Sequence, residues 1–541
     1  MRILSLAAAS LLLASCTATN TTSGPKTAPS APFIEGDIRY LASDALDGRK
    51  AGTAGFDAAS DYVAQRFAAI GLKPGGTDGT WFQPVDLRIK SYGAIDGNVM
   101  ELSGPNAPDG LEANEDYIVT AAGNALSGTV EAPLVFVGQG FVDPRTGRDD
   151  LAGVDLEGKI AVALSGAPEY LDPEELAYFK STRIDRLADA GAVGVISLSL
   201  PKDDKPAAWK GTKDYYHHYT LATWIGPDGT AFGRKPAYRA YATIRPESAE
   251  KFLAKQPVDL KSAFETTNTR EGRFRPFDMG VTAKMTFDQK LRDVTSRNVV
   301  GMVEGTDPQL KNEYVVLTAH LDHIGHEPAG AEGDAINNGA MDNASGVAIM
   351  LDVARRLAAN PPRRSVLFVA LTAEEMGLVG SAYNARFPTV PAGSIVANVN
   401  MDMPMVTYPF SDIIAYGAER TTMFPVVRAA ARRAGVTLAA DPKPEEAFFT
   451  RSDHYSYVET GVPSVYLDTG PGNGGDKALD TFLEEHYHKV SDEAEVVDFE
   501  QAARFAGINY EIARGIANMG QRPVWKKDDF FGTVFGGRME D

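Results

Sequence analysis

The chain has almost no cysteine. Of its 541 residues only Cys16 carries a thiol, which excludes an internal disulfide and leaves no thiolate ligand or thiol nucleophile for the body of the protein. A surplus of cations is missing too. The 72 acidic side chains outnumber the 53 basic ones for a formal net charge of -19, and no Lys/Arg-rich block offers a local exception. Nucleic acid and other polyanions would be repelled and are excluded as partners. Past the N-terminus no apolar run reaches the roughly 20 residues that a membrane-spanning helix needs. What remains, 44% hydrophobic and 23% charged residues, is ordinary for a globular protein. It is too long for a single core, which stops growing near ~250–300 residues.

The first residues read as targeting. Arg2 precedes the short apolar run ILSLAAASLLLAS, and small residues lead into Cys16. The stretch LLLASC resembles the lipobox of bacterial lipoproteins. That resemblance implies a signal peptide over 1–15 and a lipidated Cys16 that associates the protein with a membrane. Thr17, rather than Asp, after the cysteine favours the outer membrane. The expected location is therefore the cell envelope, on the periplasmic side or the surface of that membrane. Residues 16–32, rich in Ser, Thr and Pro, are expected to form a flexible tether.

From Phe33 the pattern becomes globular. A helix is expected first, then the glycine-rich turn in DGRKAGTAGF, then an amphipathic helix from Asp57 to about Ile70 with Tyr62, Val63, Phe67 and Ile70 on one face. Residues 115–290 hold short apolar runs such as APLVFVG, GKIAVALSG and AVGVISLSL between turns, the pattern of a strand-rich inserted domain. His217 and His218, in DYYHHYT, read as wall or surface residues there. Over 291–520 apolar strands alternate with helices. This predicts the α/β class: a mostly parallel central sheet flanked by helices, with the β-rich domain inserted. Residues 521–541 read as a loosely packed extension.

The placement of polar residues in the α/β region carries chemistry. His320 and Asp322 close YVVLTAHLD. Asp342 and Asn343 open a helix, where Ser345 and Gly346 permit close approach. Glu374 and Glu375 end SVLFVALTAEE, and Asp402 ends SIVANVNMD. In an open α/β sheet the carboxyl ends of the strands form the binding crevice, so these groups converge on one pocket. Histidine nitrogens and carboxylate oxygens suit zinc. Two such ions about 3.5–4 Å apart need a shared carboxylate and ligands on each side, and His488 supplies a second imidazole. Manganese or magnesium would also accept the carboxylates, but the two histidines lean towards zinc. Any one of these acids could be a helix cap or a loop residue. The adjacent Glu374 and Glu375, directly after an apolar strand, would repel one another without a cation.

The motifs AHLDHIG, GAMDNASGV, TAEEMGLVGS, VNMDM, RSDHYSYVETGVPS and YHKVSD, in that order, resemble the co-catalytic zinc aminopeptidase family. The opening LASDALDGRKAGTAGF and the KPGG and WFQPV segments are similar to that family as well. Within the insertion, DLAGVDLEGKIAVAL resembles the protease-associated domain. The resemblance implies a peptidase domain over 33–114 and 291–520, with a protease-associated-like domain over 115–290 that is expected to roof the active site.

It further implies two zinc ions per chain. His320 and Asp402 would be terminal ligands of one, Glu375 and His488 of the other, with Asp342 as the bridge. Asp322 would orient and polarise the His320 imidazole, Glu374 would be the general base, and Tyr487 would help hold the oxyanion. Arg451 and Asp453 would shape the substrate pocket. Met341 stands where many relatives carry Asp, without touching the ligand set. His323, His326 and His454 lie near the motifs and read as supporting or rim residues. The implied activity is removal of N-terminal residues from peptide substrates. A di-zinc carboxypeptidase or dipeptidase is the alternative, because Arg451 could read a C-terminal carboxylate. The glutaminyl cyclase-like branch uses one zinc, against the five-ligand set here. A binding lipoprotein with a decayed core would lack some of these residues, and none is missing.

Overall fold

The computed structural model describes residues 30–541 apart from 92–96, 201–208, 214–219, 234 and 328–332. The signal peptide, Cys16, His217 and His218 lie outside the described residues. The expected tether reaches into them at its end, where residues 30–32 already belong to the helix Ser30–Leu41.

A ten-stranded sheet organises the peptidase-like part. Its centre is parallel: Ser365–Leu371, Tyr314–His320, Ile395–Asn400 and Ser464–Thr469 lie side by side in that order. These strands are buried along nearly their whole length, as a sheet covered on both faces requires; they are mainly apolar but carry buried polar residues such as Asn398, Asn400 and Asp468. The flanks are antiparallel, with Phe82–Ser91 and Lys290–Val303 on one side and Asp412–Tyr416 on the other. Phe82–Ser91 alternates between buried and more exposed positions, the pattern of a strand with one solvated face.

Alternate residues of the central strands enter separate cores. Val315, Leu317, Phe368 and Val399 join one packed by the helices Ala54–Ile70, Gly346–Ala359 and Phe499–Ala517. Val316, Leu367 and Val369 join another with Tyr457. The helix Ala54–Ile70 starts where Thr53 accepts the Phe56 N–H at 3.4 Å, and ends on Gly71 in the left-handed region.

A second, seven-stranded sheet forms the inserted domain, and its bounds correct the expected 115–290. Val99–Ser103 already pairs within it, and Phe277–Phe287 is its last strand. The insertion also gives a strand back: Thr220–Ile225 pairs antiparallel with Phe82–Ser91 and forms the edge of the main sheet. The expected loose C-terminal extension is corrected as well. Trp525 is fully buried, and with Phe530 and Phe531 it enters a cluster containing Phe141 and Phe179 of the insertion and Phe449 and Tyr455 of the part built on the ten-stranded sheet. An aromatic-rich tail of this kind hides more apolar surface by packing than by remaining solvated. Among the described residues, no helix is long and apolar enough to cross a membrane.

Candidate metal centre

The parallel strands stop at one end of the sheet, and the polar residues that stop them meet there. His320 is the last residue of Tyr314–His320. Its Nε2 lies 3.1 Å from Asp402 Oδ1 and 3.2 Å from Asp342 Oδ1. Asp342 turns its other oxygen the opposite way, placing Oδ2 3.3 Å from His488 Nε2, which is itself 3.1 Å from Glu375 Oε2. Ligand atoms about 2.0–2.1 Å from a tetrahedral ion stand roughly 3.3–3.4 Å apart, so these spacings, which are within hydrogen-bond reach, also suit atoms that share a cation. The donor set is two overlapping histidine–carboxylate groups joined through Asp342, and it fits metal without adjustment.

Electrostatics agree with that reading. Burial opposes charge on His488, yet its hydrogen bonds to Asp342 and Glu375 carry its pKa up to about 11. Burial likewise opposes charge on His320, while Asp402, Glu374 and Asp342 hold its pKa well above the usual imidazole value. Burial and Asp342 push Glu375 up, but hydrogen bonds from His323 and His488 bring it down to about 2. The cluster of carboxylates favours positive charge, which bound cations would supply.

The ligands are held by their neighbours. Thr318 donates to Asn400 Oδ1 at 2.6 Å, Asn400 donates to Ser452 at 2.7 Å, and Ser452 donates to Asp402 Oδ2 at 2.5 Å. Asn343 donates to the Met401 carbonyl at 3.0 Å and accepts the Gly346 N–H at 3.0 Å. A Cβ on Gly346 would lie 2.2 Å from Asn343 Oδ1, so only glycine fits there. Asp492 accepts the N–H groups of Met341 at 2.9 Å and Asp342 at 3.0 Å. Burial lifts its pKa to about 6.

The other expected site residues divide. Burial raises the Glu374 carboxyl well above its ordinary value; Asp402, Glu375 and Asp453 add to this, and His320 opposes it. Tyr487 stacks on the His488 ring at 3.9 Å between centroids. For Asp322 the expected role is corrected: the main-chain carbonyl, not the carboxylate, meets His320 Nδ1 at 3.1 Å. The carboxylate instead accepts the N–H groups of Glu374 at 3.1 Å and Glu375 at 3.3 Å. It spends its oxygens fixing the acidic pair, because the loop after Ser365–Leu371 presents those two donors to it.

Arg451 and Asp453 have different surroundings. Arg451 is half exposed and pairs with Glu446 at 2.8 Å. Asp453 is fully buried, and burial lifts its pKa to about 7. His326 pairs with Asp47 at the rim. His454 is buried against Phe449 and Tyr466, and burial lowers its pKa to about 3. His323, read from sequence as a supporting residue, lies 2.7 Å from Glu375 Oε1.

Three contributors carried little sequence signal. Asp492 sits inside the quoted motif YHKVSD, with nothing local to show that it accepts main-chain N–H groups. Ser452 and Arg49 also lie in quoted motifs, with nothing local to show what they touch. Arg49 is fully buried; it donates to the carbonyl of Leu321 at 2.9 Å and to that of Gly339 at 3.0 Å.

A crevice at the carboxyl ends of parallel strands, holding histidine–carboxylate groups around one shared aspartate, is a construction suited to holding metal ions. Residues 298–513 match the model of Peptidase family M28. Aminopeptidase NAALADL1 of Mus musculus is 24% identical over 360 residues, 57% of this chain and 45% of that protein. A glutamate carboxypeptidase 2 homolog of Caenorhabditis briggsae is 24% identical over 319 residues, 51% of this chain and 38% of its own. The chain thus spans less than half the length of these curated relatives. The solved aminopeptidase from Aneurinibacillus sp. strain AM-1 shares the fold, with a TM-score of 0.53 at 21% identity, covering 93% of this chain and 97% of that one.

Proposed function

We propose that this protein is a zinc-dependent aminopeptidase that holds two zinc ions per chain and removes N-terminal residues from peptides. The observation that carries the reading is the split of the Asp342 carboxylate, with Oδ1 3.2 Å from His320 Nε2 and Oδ2 3.3 Å from His488 Nε2. His320 and Asp402 would complete one site, and Glu375 and His488 the other. When bound, the two ions supply Lewis acidity for the scissile carbonyl and a lowered pKa for water.

This chain's own residues do the rest. Glu374, whose raised pKa suits a group that both accepts and returns a proton, takes the proton of the attacking water and delivers it to the leaving amine. Asp322 holds the Glu374 and Glu375 main chain in place. The Tyr487 hydroxyl donates to the developing oxyanion. A free α-amine is favoured by the carboxylates Glu374 and Asp402. Arg451, the candidate reader of a C-terminal carboxylate, is engaged by Glu446 instead. Attachment to the cell envelope through a lipid on Cys16 rests on LLLASC and is tested by whether Cys16→Ala releases the protein from membranes.

The decisive measurement is cleavage of one decapeptide, offered free, N-acetylated and C-amidated, by zinc-loaded enzyme. Loss of cleavage only on the acetylated form is expected. Loss only on the amidated form would overturn the aminopeptidase reading in favour of a carboxypeptidase.

A further inference from the structure

His323 lies beside the Glu375 half of the centre and has no role in the proposed ligand set. Its side chain is fully buried. The ring is fixed on two sides. A Cβ on Gly339 would lie 2.6 Å from its Cγ and Cδ2, so the ring rests flush on that glycine. The His488 ring stands 5.7 Å away at 70°. In this position Nδ1 is 2.7 Å from Glu375 Oε1 and 3.8 Å from Asp342 Oδ2.

Two magnitudes decide what that nitrogen does. Atoms sharing a tetrahedral zinc stand roughly 3.3–3.4 Å apart, whereas a charge-assisted N–H···O bond is about 2.7–2.9 Å long. The 2.7 Å contact to Glu375 has the length of a hydrogen bond, while the 3.8 Å gap to Asp342 is wider than the tetrahedral spacing, although the three side chains are close enough together to be a candidate metal-holding group. An ionised carboxylate only accepts, so the proton sits on Nδ1. Glu375 is left with its oxygens divided: Oε1 to His323 and Oε2 towards His488, 3.1 Å away.

We infer that His323 is a positioning residue which, by occupying Oε1, makes Glu375 a one-oxygen donor and so adapts the second site to zinc over larger cations. Tetrahedral zinc takes one oxygen from each carboxylate. Larger, oxygen-preferring cations favour more ligands and two-oxygen carboxylate binding. The inference rests on the proposed two-zinc reading.

The test compares His323→Leu with His323→Asn in the full chain. Each variant is titrated with zinc against a competing chelator, repeated with manganese, and its fold is checked by circular dichroism. Asparagine places an amide N–H near the position of Nδ1 but is a poor zinc ligand; leucine offers no donor. His323→Leu is expected to keep the first zinc and bind the second about 10–100-fold more weakly, with a smaller preference for zinc over manganese. His323→Asn is expected to restore most of that affinity. Equal loss in both variants would overturn the inference and make His323 a direct ligand. Unchanged affinity in both would overturn it by denying His323 any role. If His323→Leu does not fold, a folded His323→Asn protein that loses its second zinc is sufficient to reject it. A wild-type chain that binds no zinc at all would instead reject the proposed function.

Discussion

Arg49 donates its Nε–H to the main-chain carbonyl of Leu321 at 2.9 Å, across 272 positions of sequence. Its other nitrogens reach the carbonyls of Leu41, Asn338 and Gly339. Leu321 lies between His320 and Asp322, and Gly339 opens the turn that carries Asp342. A single buried guanidinium therefore clasps the N-terminal segment to both ligand-bearing loops. Gly48 beside it allows the approach: a Cβ there would lie 2.7 Å from the Gly325 backbone. Burial lowers the Arg49 pKa to about 10 and the carboxylates of Asp342 and Asp492 oppose that, so the charge persists at neutral pH.

Replacing this fork separates charge from geometry. Arg49→Lys keeps a cation but cannot reproduce the planar array of donors. It is expected to lower kcat more than it changes KM, and to weaken zinc binding in a chelator titration. Arg49→Met leaves buried carbonyls without donors and is expected to cost about 3–5 kcal/mol in urea unfolding. A lysine variant with wild-type kcat and zinc affinity would show that charge alone matters.

Asp468 gives a pH signature. Its Oδ1 accepts the N–H groups of Met405 at 2.9 Å and Thr469 at 2.6 Å, while burial lifts its pKa from 3.8 to about 7. A carboxyl whose folded pKa is raised contributes stability that is complete below its unfolded value and is lost as pH rises through the folded one. Asp468→Asn can keep both bonds through its amide oxygen and never ionises. In chelator-treated protein the variant is expected to be the more stable at pH 8, by at most ~4 kcal/mol at about 1.4 kcal/mol per pH unit. The advantage should shrink steadily towards pH 4. Parallel stability curves for the two proteins would remove Asp468 as their cause.

The tail is an integral part of the core. Trp525 is fully buried and donates its indole N–H to the Gly461 carbonyl at 2.9 Å. Trp525→Ala is expected to cost ~3–5 kcal/mol in denaturant unfolding. Truncation after residue 520 would uncover Phe449 and Tyr455, which flank Arg451–His454, and is expected to change KM as well as stability. A truncated protein with an unchanged unfolding midpoint would contradict the packing described.

Much of the site was legible in the chain because its chemistry restricts residue types. Any one polar residue at a strand end has ordinary explanations, but His320, Asp402 and the Glu374–Glu375 pair all stand at or just past the ends of mainly apolar strands. The layered α/β core was legible as well, since strands buried on both faces are mainly apolar. Domain borders were less so. The pairing of Thr220–Ile225 with Phe82–Ser91 joins stretches more than 100 residues apart, and no local pattern states which edge a strand will find.

The sequence by itself determined which side chains could hold cations and that they belong to one crevice, because strand ends and ligand chemistry are local properties. Only the tertiary structure decided how those side chains are held. Asp322 grips the Glu374–Glu375 backbone, Asp492 the Asp342 turn, Arg49 two loops at once, and His323 one oxygen of Glu375. Each is a directional hydrogen bond that works only within a few tenths of an ångström, and the meeting of its two ends is fixed by how distant segments pack.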